Sequence, residues 1–128
     1  NYPAAYEWFL KATNYDYAPS QYMIGLMYHQ GHGVAINFER ARLWFLKAAK
    51  QGYANAQFMY AYMVQSGEGE KSDPPRAMVW ALVAEMNGKN DSVAITVPAS
   101  MTMSELEIST AKKIANECFQ SNYQNCPD

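Results

Sequence analysis

His29 and His32 are the only two histidines in the chain, and they stand three residues apart around Gln30 and Gly31. Two imidazoles at that spacing could supply part of a metal site, but such a site needs three or four ligands. No cysteine lies nearby and the closest acidic residue in sequence is Glu39, so both histidines are expected at an exposed turn. No metal and no cofactor is implied. Gly31-His-Gly33 and Gly67-Glu-Gly69 could offer backbone N–H groups to a phosphate. Neither is followed by Gly-Lys-Ser/Thr and neither follows a strand pattern, so left-handed turn positions account for them. The chain has no His-Glu-x-x-His, Gly-x-Ser-x-Gly or Cys–His arrangement, and Glu105 and Glu107, two apart, cannot share a helix face. A non-catalytic protein is expected. Cys118 and Cys126, eight apart, are the only cysteines. They suit either one disulfide in an oxidising compartment or a pair of free thiols.

The elements that hold these residues follow from composition and periodicity. The chain has 128 residues, of which 49 % are hydrophobic and 17 % charged, and its net charge is −2. That is too apolar and too weakly charged for disorder, and long enough to bury one continuous core as a single domain, 1–128. Ten basic against twelve acidic residues leave no broad basic surface, which excludes nucleic acid as a partner. No apolar run approaches the roughly 20 residues of a membrane span, so no membrane insertion is expected. Self-similarity is pronounced. Trp8, Trp44 and Trp80 stand 36 residues apart, and residues 5–40 laid on 41–76 without gaps match at 14 of 36 positions.

Each unit reads as two helices. Ala5, Trp8, Phe9 and Ala12 recur at helical spacing on one face, so the Trp and Phe residues of the first helices (Trp8, Trp44, Trp80, Phe9, Phe45) are assigned to the core. After a break such as Gln51-Gly52-Tyr53, a second helix carries Ala18, Tyr22, Gly25, Leu26 and Tyr28, echoed by Ala54, Phe58, Ala61, Tyr62 and Val64. Small residues at 25 and 61 are expected to let two helix backbones approach. Asn37 and Asp73 are expected N-caps, with Pro74 at the first helical position. Units are placed at about 4–39, 40–75 and 76–101. The last has a shortened second helix because Pro98 opposes a long one. Thr102 and Glu105 have capping-box spacing and are expected to open a capping helix, with a tail completing 102–128.

The run Ala41-Arg-Leu-Trp44-Phe-Leu-Lys-Ala48-Ala49-Lys-Gln51-Gly52-Tyr-Ala54-Asn-Ala56-Gln57 closely resembles the Sel-one-like repeat (SLR) pattern A-x-x-W-[FY]-x-x-A-A-x-x-G-x-A-x-A-Q. Tyr28-His-Gln-Gly31-His-Gly33-Val34 resembles the loop of the same family, and the likeness covers about residues 4–88. Tyr15-Asp16 in the first copy departs from the usual Gln-Gly, and Val64 and Glu70 depart in the second loop. The resemblance implies an all-α, right-handed α-α superhelix, a tetratricopeptide-like (TPR-like) solenoid with a C-terminal capping helix. It also implies an adaptor that binds a protein or peptide partner on a concave surface; it implies no particular oligomeric state. Two alternatives stand beside it. One is a small-molecule (β-lactam-like) binder or weak hydrolase, although the Cys-rich members with that association carry a disulfide in every repeat and these repeats have none. The other is a structural fragment of a longer repeat array. Residues 118–126 resemble the tail of exported bacterial members, which implies a Cys118–Cys126 disulfide and a periplasmic or secreted protein rather than a cytoplasmic one. The chain begins at Asn1, and a leader removed or left out upstream is the expectation.

On the first helices, the positions opposite the core face grow more apolar along the array: Glu7, then Leu43, then Val79. Solvent does not favour this drift, so the C-terminal segment or a partner must cover it. The tail is expected over the third unit, leaving Tyr6, Leu10, Arg42, Leu43, Leu46 and Lys50 as the partner-facing set. The off-register Tyr2, Tyr6, Tyr15, Tyr60 and Tyr123 are expected to take part in recognition. On this reading, replacing Arg42 and Leu46 by Glu abolishes partner capture without unfolding the protein.

Overall fold

The computed structural model describes residues 1–128. They form seven α-helices and no strand: α1 Tyr2–Ala12, α2 Ala18–Gln30, α3 Phe38–Lys50, α4 Ala54–Ser66, α5 Pro74–Met86, α6 Val93–Ser100 and α7 Glu105–Gln120. Single 3₁₀ turns at Thr13–Tyr15 and Asn90–Ser92 follow α1 and precede α6. From α1 to α6 each helix packs on its sequence neighbours, so α2 lies between α1 and α3, and α4 between α3 and α5; α7 packs on α5 rather than on α6. This is the expected α-solenoid.

The helix starts mostly follow the sequence signals. The Asn37 side chain accepts the Arg40 N–H at 3.0 Å, the Asp73 carboxylate accepts that of Arg76 at 3.3 Å, and Pro74 takes the first turn. The capping box of α7 differs from expectation. Ser104 Oγ accepts the Glu107 N–H at 3.1 Å and the Glu107 carboxylate accepts the Ser104 N–H at 2.9 Å. The Thr102 hydroxyl instead donates to the Ala99 carbonyl at 3.2 Å, so it finishes the turn after α6.

The break after each first helix needs one residue in the left-handed region. Asp16 (φ 53), Gly52 (φ 88) and Gly88 (φ 95) occupy that place in the three units. Asp16 therefore fills the family's glycine position with a side chain that tolerates it. Asn122 (φ 56) does the same after α7. The Tyr53, Lys89 and Tyr123 N–H groups donate to the carbonyls of Ala48, Ala84 and Cys118 respectively. Buried Ala111, Ala115 and Cys118 recur at the spacing of Ala41, Phe45 and Ala48. The capping helix is thus built like the first helix of a further unit, one that the 36-residue sequence match does not reach. The paired glycines act differently. A Cβ on Gly33 would meet the Tyr2 carbonyl at 2.6 Å, and one on Gly69 would meet the Phe38 backbone at 3.1 Å. Each unit's loop presses on the start of its own first helix.

The second helices α2 and α4 are buried from two sides, which overturns some one-sided assignments. Tyr60, 3 % exposed, stands where Ile24 stands one unit earlier and packs edge-on against Trp80. It belongs to the core and not to a recognition surface. Tyr62, expected inward, is exposed. Gly25 makes room for a ring rather than for a backbone: a Cβ there would sit 2.6 Å from Phe45.

A partly buried polar link joins successive units. Gln51 Nε2 donates to Gln21 Oε1 at 2.8 Å, and one unit later Asn87 Nδ2 donates to Gln57 Oε1 at 3.3 Å. Gln57 is fully buried and its own Nε2 donates to the Ala49 carbonyl at 3.1 Å. Gln57→Leu removes both bonds, while the Ala49 carbonyl keeps the Gly52 N–H and Asn87 keeps the Gly52 carbonyl, so urea unfolding should show a loss of about 1 kcal/mol. Substitution of exposed Ser66 by Ala should change stability far less.

Candidate functional site

The exposure of the repeat-encoded tryptophans falls along the array: Trp8 is 76 % exposed, Trp44 half-buried and Trp80 fully buried. Trp8 is therefore a correction to its core assignment. Its face of α1 has no preceding helix against it and borders a recess lined by Ala5, Phe9, Ala12 and Tyr17. Trp44 carries the Lys47 ammonium 4.6 Å from its ring centre. Trp80 is sealed by Tyr60 and by the segment after α7, whose Pro127 carbonyl accepts the indole N–H at 3.1 Å.

The opposite drift in the first helices also resolves. Val79 and Val83 are buried, and α7 packs on α5, so the C-terminal segment does cover the third unit. The rest of that face keeps two recesses. The one between α1 and α3 is lined by Tyr6, Leu10, Tyr28, Arg40, Leu43, Trp44 and Lys47. The one between α3 and α5, of about 490 Å³, is lined by Arg42, Leu43, Leu46, Tyr60, Arg76 and Asp128, with Glu39, Gly69 and Glu70 at its margin. A third, beyond the 126–128 segment, lies between α5 and α7 with Val79, Leu106 and Ile114.

The fold brings the six partner-facing candidates onto this one face, though not as equals. Leu43 is 62 % exposed and belongs to both recesses; Leu10 and Leu46 are half-buried walls. The Tyr6 hydroxyl is 2.9 Å from that of Tyr28, to which Arg40 Nη1 donates at 3.3 Å. The bond to Tyr28, together with burial, pushes the Tyr6 pKa up to about 12. Tyr6 thus stays neutral at physiological pH. Arg42 is only 5 % exposed. Its guanidinium donates to the Glu68 carbonyl at 3.0 Å, pairs with Glu70 at 3.4 Å and lies over the Tyr60 ring. It clamps the second loop from within, so Arg42→Glu would strand a charge and loosen the fold itself. The test of the surface passes to Leu43 and Leu46. Lys50 pairs with the Asp128 carboxylate.

Only one histidine leaves the turn assigned to both. His29 lies in the last turn of α2, mostly covered and 3.1 Å from Glu68 of the next unit's loop, while His32 is in the turn after α2 and stacks on Tyr2 with ring centres 4.3 Å apart. No group of three or more His, Cys, Asp or Glu gathers anywhere. Tyr15 is exposed, Tyr2 is engaged by His32, and half-buried Tyr123 packs on Gly52 and Phe119.

Cys118 and Cys126 form a disulfide. It ties the segment after α7 back to that helix and delivers Pro127 to Trp80 and Asp128 to Lys50. Lys50 donates a hydrogen bond to the Asp128 carboxylate and its charge holds the carboxyl below the usual range. The folded value being depressed, this contact is intact above the ordinary aspartate range and is lost as pH falls through the lowered value. Cys126→Ser opens the short loop and should cost about 2–3 kcal/mol in denaturant unfolding, with Trp80 emission shifting to the red.

A family model for the Sel1 repeat matches residues 1–14, 18–53 and 54–89. It counts the same 36-residue period from the second helix of one unit to the first helix of the next. No curated protein matches the sequence. Among solved structures, a protective antigen of uropathogenic Escherichia coli strains with an SLR fold superposes with a TM-score of 0.87 at 24 % identity, covering 94 % of this chain and 27 % of that one. A Sel1 repeat protein from Oxalobacter formigenes superposes at 0.71 with 32 % identity, covering 75 % of this chain and 40 % of that one. The chain thus spans less than half the length of either. No helix is long and apolar enough to cross a membrane. Repeat period, loop geometry and family match together make this chain a member of the Sel1 repeat family.

Proposed function

We propose that the protein is a non-catalytic interaction scaffold that holds a segment of a partner protein or peptide along the face formed by α1, α3 and α5. Sel1 repeat proteins are generally interaction scaffolds, and one observation favours this face. The chain's own 126–128 segment lies against α5, accepting a hydrogen bond from Trp80 and pairing with Lys50. Open recesses flank it on both sides. A surface that already seats one strip of backbone, with Leu43 exposed beside it, has the features of a peptide groove. The partner-facing set is then Tyr6, Leu10, Leu43, Leu46 and Lys50, with Arg42 holding the groove's floor in place. The disulfide favours an oxidising compartment, periplasmic or extracellular. The likeness to a protective antigen of uropathogenic Escherichia coli strains fits the same placement.

Leu43→Glu with Leu46→Glu should abolish capture of partners from the native extract, while circular dichroism and unfolding keep the helical fold. Undiminished capture by a folded double variant refutes the reading. A second reading, a piece of a longer array, draws on α1. Ala5, Phe9 and Ala12 repeat the positions at which Ala41, Phe45 and Ala48 are fully buried against the preceding unit, yet here they border an open recess beside exposed Trp8. A further helix pair stacking there would protect Trp8 from acrylamide quenching in a longer chain.

A further inference from the structure

The recess between α3 and α5 is lined by Arg42 and Arg76 and by the carboxylates of Glu39, Glu70 and Asp128. Arg42 pairs with Glu70. Lys50, beside the recess, and Arg76 are the two cations that act on Asp128. Lys50 holds the Asp128 carboxylate, while Arg76 lines the recesses on both sides of Asp128 and its guanidinium lies 5.7 Å over the Tyr60 ring. The Arg76 Nε is buried and has no hydrogen-bond partner. Such a donor is costly to leave unmade, and Asp128 does not satisfy it.

We propose that Lys50 and Arg76 form a carboxylate-reading subsite for an extended acidic segment of a partner protein, and that Pro127–Asp128 of this chain occupies it in cis. This deepens the groove reading above and rests on it. The seated segment shows what is read: a backbone carbonyl, taken by the Trp80 indole N–H, followed at the next residue by a side-chain carboxylate on Lys50. Arg76 adds a second positive charge beside that carboxylate, with Leu43 and Leu46 as the apolar wall. The depressed Asp128 carboxyl, which owes its shift first to Lys50 and to a lesser extent to Arg76, fits a site that stabilises negative charge. The disulfide at Cys126 tethers the in-cis occupant one residue before Pro127. Tethering gives it a high effective concentration, so a partner's affinity is reduced by the fraction of molecules whose subsite is free.

The test uses the full chain and a fluorescent, terminally blocked peptide of residues 122–128 carrying C126S, read by anisotropy. C126S/D128A protein, whose own segment is released, should bind the probe about tenfold or more tightly than the unaltered protein does. Adding K50Q, which leaves the fold intact by unfolding measurements, should reverse that gain, as should a probe carrying D128N. Binding that ignores K50Q and the D128N probe, or no binding to the released variant, overturns the proposal. So does a probe-independent dimer formed by exchange of segments between two copies, seen in sedimentation. Capture from extract lost in L43E/L46E but untouched by K50Q would overturn the carboxylate subsite while leaving the groove standing; capture untouched by either removes both.

Discussion

The second helices of the first two units, α2 and α4, are buried on two sides, and that constraint shapes nearly everything else. A helix clasped between its own partner and the first helix of the next unit can afford bulk on neither side. The contact positions of α3 and α5 are accordingly alanines with one ring at most: Ala41, Ala48 and Ala49, then Ala77, Ala81 and Ala84, all fully buried. Where a ring does enter, something opposite is cut away, as Phe45 enters the space left by Gly25. Packing of this kind leaves no room for water, so polar groups in the seam must satisfy one another. The Gln21–Gln51 and Gln57–Asn87 links do so at the same place in successive units. They add direction to an otherwise non-directional apolar contact.

A solenoid built this way has a last unit whose outer face needs covering. The protein covers it twice. α7 buries Val79 and Val83 of α5, using the same small-residue spacing as the earlier first helices. The disulfide-held segment then closes over Trp80. Because that segment lies on the same face as Leu43 and Leu46, the device that completes the core also borders the proposed groove. Fold stability and the proposed recognition meet at Trp80, Lys50 and Asp128.

Much of the fold was legible in the residues. The 36-residue spacing of three tryptophans, the Asn37 and Asp73 caps, the left-handed glycines and the shortened sixth helix all appear where local rules place them, because turns and caps are decided within a few residues. The face proposed for a partner was marked in the sequence by an apolar drift from Glu7 through Leu43 to Val79. Arg42 was not separable from it. Nothing local tells that the second loop will fold back over α3 and bury that guanidinium against Glu68 and Glu70. Tyr60 and Tyr62 likewise could not be sorted, since a helix buried on two sides has no single apolar stripe.

The sequence by itself determined the repeat, the helix pairs, the family and the absence of any recognisable catalytic motif, since each is written in spacing and short-range conformational preference. Tertiary structure alone decided which of three equivalent tryptophans is core. Trp8, Trp44 and Trp80 have the same place in their units, yet burial depends on what stacks against each, and only Trp80 has α7 and the tethered segment around it. It also decided that Asp128, 78 residues from Lys50, would share its site. Periodicity specifies how a unit looks from within; the ends of a stack and the contacts across it are set by which surfaces remain to be covered.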